Sequence, residues 1–270
     1  MSDPIERKQE IVFVLVRPSF LGNIGSVARV LKNFDFHALR LVAPPKAYKD
    51  AEARKMSLGA FDILKNARVF ETLSEALADV NTIIGTTCTH QREIDFRSVH
   101  EFDQIVKVDS ENRVAIIFGE ERDGLLRDEL AKCHHIITIP TNPDFPSLNL
   151  AQAVGIFAYE LSRSKEHSTR RSASGTGSNP EPLSSSTSSA ADSRNEDRYS
   201  TGAEDDELFN ELDKLLHRVE FSRQYNKQII FQKLRSLYLR ARPTSRESGM
   251  LRGIISKIDS KLNERADSSD

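Results

Sequence analysis

Two short runs without a single polar side chain constrain the fold of this chain most. Residues 11–16 (IVFVLV) and 114–118 (VAIIF) are wholly apolar, which is typical of strands buried on both faces of a sheet. Further strands are predicted at residues 38–43, 68–70, 81–85 and 136–139. Segments with helical periodicity separate these strands, and such alternation indicates βαβ units. We therefore predict an α/β fold with a mostly parallel sheet covered by helices.

The stretch 139–161 joins a strand to a buried helix through a loop of turn-forming residues. Ser147 or Asn149 is predicted to cap this helix. The apolar side chains that fall on one face at helical spacing are Leu150, Val154, Phe157 and Leu161. The loop presents Ser147, Asn149 and backbone N–H groups above a strand end, where ligands of open α/β sheets usually bind. An ordinary βα connection is the alternative.

The composition changes after the α/β pattern ends. Residues 166–203 are rich in Ser, Thr, Gly and charge, with too few apolar side chains to offset the entropy of ordering. Residues 204–264 carry three apolar stripes at helical spacing, which predict a small helical bundle. We therefore divide the chain into an α/β domain (1–165), a disordered linker that acts as a flexible tether (166–203), and a helical tail (204–264).

Basic residues outnumber acidic residues in the central part of the helical tail. Between Glu220 and Lys257 there are nine Lys or Arg and two Glu, a positive excess of seven, with Phe231 and Tyr238 interleaved. Basic surface mixed with aromatic rings is the pattern of nucleic-acid contact. A solvated helix face is the alternative.

Cysteine usage and hydropathy indicate the compartment. Cys88 and Cys133 are far apart and lack metal-ligand spacing, so neither a disulfide framework nor a zinc site is expected. No apolar run reaches the length of a membrane span, and residues 1–10 lack the apolar core of a signal peptide. We predict a cytoplasmic protein without a membrane partner, and we expect His134 and His135 to be structural.

The chain lacks the sequence motifs of several enzyme classes. The segment GNIGSVAR does not have GxGxxG spacing, and no acidic residue ends the next strand, which disfavours a nucleotide-dependent dehydrogenase. GxxxxGK[ST], HExxH and GxSxG are all missing from the chain. A hydrolase or a metalloenzyme therefore has little support.

Three polar loops, at residues 21–29, 119–125 and 142–149, follow three of the predicted strands. The segments GNIGSVARVLKNF, FGEERDGL and IPTNPDFPSLNLAQAVGIFAYEL resemble motifs one, two and three of the SpoU branch of the SPOUT methyltransferases, in order and in spacing. The resemblance covers residues 11–163. It implies a deep trefoil knot in the C-terminal part of the sheet, a homodimer, and S-adenosyl-L-methionine as methyl donor, without a metal. Tail segments FQKLRSLYLRARP and LRGII resemble the tail of bacterial tRNA 2′-O-methyltransferases that act at nucleotide 32.

The resemblance also implies which polar residues are catalytic. The residues that match the family's polar set are Arg29, Asn23, Glu121, Ser147 and Asn149. Arg29 is expected to act on the ribose 2′-OH. Because a guanidinium is essentially never deprotonated in proteins, the alternative is that it holds phosphate and stabilises the developing alkoxide. Ser147 and Asn149 are expected to orient Arg29 or the ribose, whereas Asn23 alternatively supports the motif-one turn.

The cofactor pocket implied by the resemblance is mostly main chain. Its predicted lining residues are Thr86, Thr87, Cys88, Gly119, Ile139, Pro146, Ser147 and Leu148. Gly119 is expected to let the chain approach the adenosine, and Ile139 and Leu148 to sandwich the adenine, which is compatible with core packing. The predicted reaction is S-adenosylmethionine-dependent 2′-O-methylation of cytidine or uridine in tRNA. The alternatives are a ribosomal RNA 2′-O-methyltransferase and a non-catalytic RNA-binding relative.

Overall fold

The computed structural model describes residues 11–88, 96–105, 112–173, 198–221 and 227–267. The strands are β1 (Ile11–Val16), β2 (Ala38–Val42), β3 (Arg68–Phe70), β4 (Thr82–Thr87), β5 (Arg97–Ser98), β6 (Val114–Phe118) and β7 (His135–Thr138). They form one sheet in the order β3-β2-β1-β6-β4-β7-β5, and every pairing is parallel. The predicted parallel α/β sheet is therefore confirmed. Strand β7 lies between β4 and β5, which follow each other along the chain.

Ten α-helices are found in the described residues. They are α1 (Leu21–Asn33), α2 (Ala51–Ser57), α3 (Phe61–Asn66), α4 (Leu73–Leu77), α5 (Phe102–Ile105), α6 (Arg127–Leu130), α7 (Leu150–Ala173), α8 (Gly202–Arg218), α9 (Lys227–Ala241) and α10 (Ser245–Asp267). Within this described part of the chain, no helix combines the length and the apolar composition needed to cross a membrane.

The central strands are buried on both faces, as their apolar runs predict. Phe13 of β1 and Phe118 of β6 lie in the core on one face, whereas Val12 and Val14 lie in the core on the other. The Phe118 ring stacks on Phe13 at 6.2 Å between centroids and meets the edge of Phe157 from α7 at 5.3 Å. Aromatic pairs of this geometry stabilise beyond their buried area. Helix α7 is thereby fixed against the strand that ends at the motif-two loop.

The prediction of a polar loop at residues 21–29 is wrong, because helix α1 begins at Leu21. Two glycines lower the helix propensity of this segment. Gly25, however, lies where α1 crosses α2, and a Cβ there would be 2.2 Å from the carbonyl oxygen of Ala53. Burial of Ile24 and Val27 in the same helix offsets the cost of the glycines. Asn23 and Arg29 are therefore helical residues.

The linker boundaries also differ from the prediction. Helix α7 continues to Ala173, eight residues beyond the predicted end of the α/β domain at 165. Extending an existing helix is inexpensive compared with starting one, and residues 164–173 contain neither Gly nor Pro. Residues 174–197, the centre of the predicted linker, lie outside the described residues.

At its other end, the predicted tether is docked onto the α/β domain. The N–H of Gly202 donates to the carbonyl oxygen of Val80 at 2.9 Å, and that of Ala203 donates to Ala78 at 3.2 Å. A Cβ on Gly202 would lie 2.5 Å from the Leu77 carbonyl oxygen. Only glycine permits this approach, and composition alone gives no sign of it.

Polar side chains extend the docking contact. Arg242 donates to the Thr82 hydroxyl at 2.7 Å, and Lys132 lies 2.7 Å from the Asp206 carboxylate. His134 is buried beneath the tail, where its Nδ1 accepts from the N–H of Ile83 at 3.0 Å. Burial, followed by the nearby Arg242, lowers the pKa of His134 to about 3. The predicted structural role of His134 is confirmed.

The tail is less basic on its surface than its composition indicates. Residues 198–267 contain fourteen Lys or Arg and eleven Asp or Glu, a difference of three. Arg235 pairs with Asp206, and Arg252 pairs with Glu207 and Glu211, all of them acids of α8. Fewer unpaired cations are therefore available to a ligand than the positive excess of seven between Glu220 and Lys257 indicates.

Candidate active site

A cleft opens at the carboxyl ends of β4, β6 and β7. It contains about 800 Å³ of space not filled by atoms, including the open solvent at its mouth. The cleft is lined by all eight residues predicted for the cofactor pocket, namely Thr86, Thr87, Cys88, Gly119, Ile139, Pro146, Ser147 and Leu148. Sequence reasoning missed other lining residues, namely Phe118, Glu120, Arg122, Asp123, Gly124, Leu125, Leu150, Ala153 and Phe157.

Gly119 has a structural reason to lack a side chain that differs from the prediction. A Cβ at this position would lie 2.0 Å from the carbonyl carbon of Gly124 and 2.2 Å from the nitrogen of Leu125. The motif-two loop folds back here, since the Gly124 N–H donates to the Glu120 oxygen at 2.8 Å. Gly124 has a φ of +66°, a conformation that favours glycine. The two glycines therefore shape this loop before any ligand is considered.

Glu121 ties the motif-two loop to the start of α1. Its carboxylate accepts from the N–H and the hydroxyl of Ser19 at 2.9 and 2.8 Å, from the N–H of Phe20 at 3.3 Å, and from Nδ2 of Asn23 at 2.8 Å. Burial raises the pKa of Glu121, but donation from Asn23 and Ser19 outweighs burial and leaves the pKa below its usual value. Glu121 is therefore an anion whose two oxygens both accept hydrogen bonds.

Asn23 carries this connection to the third motif. Because Glu121 can only accept hydrogen bonds, the amide nitrogen of Asn23 faces it and the amide oxygen is left for another donor. Nδ2 of Asn149 donates to that oxygen at 2.9 Å. Glu121, Asn23 and Asn149, one from each motif, thus form a continuous hydrogen-bonded chain.

Asn149 also begins helix α7. Its side-chain oxygen accepts from the N–H of Ala151 at 2.9 Å, so it is the predicted capping residue. A cap of this kind stabilises a helix by about 1 kcal/mol. One side chain therefore sets both the start of α7 and the distance between motifs one and three.

Ser147 and Arg29 do not join this chain. Ser147 is exposed and lines the cleft, and its hydroxyl has no hydrogen-bond partner among the described residues. Arg29 is exposed on α1, six residues beyond Asn23, which corresponds to about 9 Å along a helix axis. The Arg29 guanidinium makes no ion pair within the described part of the chain. The single subunit therefore brings Asn23, Glu121 and Asn149 together and leaves Arg29 apart from them.

Ser19 and Arg17 are functional candidates that sequence reasoning missed. Ser19 supplies two of the four donors to Glu121. Arg17, at the end of β1, pairs with Glu129, whose Oε2 also accepts from the Leu126 N–H at 2.7 Å. Neither residue has a periodic or motif signal, since each partner lies more than 100 residues away in sequence.

The described segments contain no group of three or more His, Cys, Asp or Glu side chains arranged to hold an ion. The polar chain is built instead from amides, hydroxyls and one carboxylate.

Comparison with known proteins agrees with this architecture. Residues 10–159 match the SpoU rRNA Methylase family, and residues 203–268 match the C-terminal domain of tRNA methyltransferase TrmJ. The parallel sheet, the cleft and the family match define the class: the chain belongs to the SpoU rRNA Methylase family and is a methyltransferase.

Within that family, the chain is similar over nearly its whole length to TrmJ proteins. It is 35% identical to the tRNA (cytidine/uridine-2′-O-)-methyltransferase TrmJ of Cronobacter sakazakii over 269 residues, covering 95% of this chain and 99% of that relative. The crystal structure of TrmJ from Z. mobilis ZM4 superposes with a TM-score of 0.74 at 32% identity, covering 92% and 98% of the two chains. A probable methylase family protein from Haemophilus influenzae superposes with a TM-score of 0.58 at 30% identity, covering 95% and 99%.

Proposed function

We propose that this protein transfers a methyl group from S-adenosylmethionine to the 2′-hydroxyl of a ribose in tRNA, at cytidine or uridine 32 of the anticodon loop. The observation that carries the proposal is the hydrogen-bonded chain Glu121–Asn23–Asn149 beside the cleft. It joins three motif loops that are far apart in sequence, next to a pocket lined by all eight predicted cofactor residues. Similarity to TrmJ along nearly the whole chain, including the tail, favours tRNA over ribosomal RNA.

The residues of the cleft fit S-adenosylmethionine. Ile139 and Leu148 provide apolar walls for the adenine. The Ser147 hydroxyl, which has no partner among the described residues, and the backbone of the motif-two loop provide polar contacts. When bound, this cofactor supplies an electrophilic methyl group on a sulfonium. The reaction with a hydroxyl needs no metal, and the protein's contribution is to align the ribose and to manage its proton.

The chain Glu121–Asn23–Asn149 performs the alignment. It holds the N-terminus of α1 and the N-terminus of α7 at a fixed separation beside the cleft. Positioning of two reactants contributes at most about 7–11 kcal/mol to lowering a barrier. Ser147 then contacts the ribose or the cofactor from the cleft wall.

Arg29 acts on the ribose of the other subunit in this proposal. Its exposed position on α1, away from the cleft of its own chain, suits a homodimer in which α1 faces the partner. As a guanidinium it holds the adjacent phosphate and stabilises the developing alkoxide. Arg29→Ala is expected to lower kcat by orders of magnitude while the Kd for S-adenosylmethionine stays near wild type.

The experiment compares RNA substrates with methyl-labelled S-adenosylmethionine. Label is expected in a tRNA transcript and not in ribosomal RNA fragments of similar length. A transcript with 2′-deoxyribose at nucleotide 32 serves as the matched control and should accept no label. Label in ribosomal RNA alone would replace the tRNA assignment, and equal label in the deoxy control would exclude nucleotide 32.

A further inference from the structure

The motif-three loop holds one large apolar ring in solvent at the rim of the cleft. Phe145 is 78% exposed, the highest value for any large apolar side chain in the described residues. Its neighbour Pro146 lines the cleft. Within the described part of the chain, the Phe145 ring makes no aromatic or cation–π contact. Exposing a ring of this size forgoes the favourable free energy of burying it, so a ligand that covers the ring would gain that contribution.

Three hydrogen bonds within the loop that carries Phe145 hold its conformation. The N–H of Phe145 donates to the Asn142 carbonyl oxygen at 3.0 Å, and the N–H of Asp144 donates to the Asn142 side chain at 3.0 Å. The Thr141 hydroxyl donates to the carbonyl oxygen of Pro146 at 3.1 Å. These bonds, together with the fixed φ of Pro146, define where the ring stands.

We propose that Phe145 is a stacking surface for the base of the nucleotide whose ribose is methylated. This inference rests on the proposed function. A ribose that enters the cleft belongs to a nucleotide taken out of its stack, and proteins commonly receive such bases on aromatic rings. The exposed Asp144 carboxylate beside Phe145 disfavours phosphate at this point, so the ring meets a base rather than the backbone.

The proposed function includes both cytidine and uridine, and stacking on Phe145 suits both. A phenyl ring has no hydrogen-bond donor or acceptor, and every base offers a π-face. Stacking on Phe145 therefore orients cytosine and uracil alike, and the residue sets position without distinguishing the base.

Phe20 supports the same rim. It is 62% exposed and directly precedes α1, and its N–H is held by Glu121. The loops of Phe20 and Phe145 are joined through the Asn149–Asn23 hydrogen bond. Both exposed rings therefore belong to segments that this hydrogen-bonded chain connects.

The test compares Phe145→Ala, Phe145→Leu and Phe145→Tyr. Loss of one stacking contact should lower kcat/KM for tRNA on the order of tenfold to a hundredfold in the Ala variant. Tyr should restore kcat/KM to within about threefold of wild type, whereas Leu should resemble Ala, because stacking needs a π-face. The Kd for S-adenosylmethionine should not change. Val69→Ala, which shortens another exposed apolar side chain on the edge strand β3, is the matched control and should be neutral.

A second readout separates this inference from the proposed function. A tRNA with pyrrolo-cytidine at nucleotide 32 should change its fluorescence on binding wild type and Phe145→Tyr, but not Phe145→Ala, whether or not methyl transfer follows. Absence of transfer by wild type would overturn the proposed function alone. Equal fluorescence changes with wild type and Phe145→Ala would overturn the stacking role. Conversion of the Ala variant to a smaller assembly would also overturn it, since Phe145 would then be a contact between subunits.

Discussion

The side-chain amide of Asn149 donates to the side-chain oxygen of Asn23 at 2.9 Å, across 126 residues of sequence. The two side chains join the N-terminus of α7 to the first turn of α1. Because Asn23 also donates to Glu121, a change at one end of this chain is transmitted to the other. Catalysis is expected to depend on this connection more strongly than folding does.

Asn149→Asp tests the connection without removing the helix cap. Asp caps helices as well as Asn does, but it cannot donate to Asn23, and its carboxylate would face the Asn23 oxygen. The pair is exposed, so the lost hydrogen bond should cost about 0.5–1.5 kcal/mol of stability. We expect kcat/KM to fall on the order of tenfold or more, with only a small decrease in the melting temperature. Steady-state kinetics and thermal denaturation give the two readouts, and wild-type kinetics in a folded variant would contradict the alignment role.

Gly119→Ala should disturb the motif-two loop rather than only the cofactor. The added Cβ would overlap the backbone of Gly124, so the variant should lose thermal stability as well as affinity for S-adenosylmethionine. Gly249→Ala is the control, because nothing lies within 4 Å of its Cβ position in α10. That change should raise stability by about 0.5–1 kcal/mol. Calorimetry showing lost cofactor affinity at unchanged stability for Gly119→Ala would restore the predicted adenosine contact as the reason for this glycine.

The docked tail should loosen in acid. Burial lowers the pKa values of His134 and His135 to about 3 and about 4, whereas an unfolded histidine titrates near 6.5. The unfolded chain therefore binds more protons below pH 6.5, and stability that is fully present above pH 6.5 is lost as pH falls towards 3. His134→Asn keeps an acceptor for the Ile83 N–H and should make the free energy of unfolding depend less on pH.

Urea midpoints at pH 7.5 and pH 5 measure the histidine effect. His217→Asn is the control, since His217 is exposed. Equal pH slopes for wild type and His134→Asn would show that other groups set the acid sensitivity.

Cations of the tail that make no ion pair should contribute to RNA binding, whereas cations paired with acids of the tail should contribute little. Lys233, Arg240 and Lys257 are exposed and make no ion pair in the described residues, whereas Arg252 is engaged by Glu207 and Glu211. Replacing an exposed cation by Gln should reduce the salt dependence of tRNA affinity by about one phosphate contact. Arg252→Gln should instead lower stability with little change in the salt slope. Filter binding across salt concentrations measures these slopes. Slopes equal to that of the wild type for all four variants would mean that these cations of the tail do not contact phosphate.

The sheet was predictable because its central strands β1 and β6 are uninterrupted apolar runs. The strands at 11–16, 68–70 and 114–118 have the predicted bounds. The two-residue strand β5 was not predicted, since it is too short to show periodicity. The beginning of α1 was misplaced because its glycines indicate a turn locally, and only the crossing with α2 explains them. The trefoil knot stays a prediction of the resemblance.

The site was predictable as a set of residues but not as an arrangement. The cleft lining follows from the three motif loops. The role of Ser19, the separation of Arg29 from Asn23, and the docking of Gly202 on Val80 depend on contacts between distant segments. No local pattern encodes such contacts, so they required the folded structure.

The identity of the methylated nucleoside shows whether this protein methylates the ribose of tRNA. A tRNA transcript is incubated with wild-type protein and methyl-labelled S-adenosylmethionine, digested to nucleosides, and analysed by mass spectrometry. We predict that the label is found in 2′-O-methylcytidine or 2′-O-methyluridine, with the added mass on the ribose fragment. Label on a base fragment, or no label in any nucleoside, would contradict ribose methylation by this site.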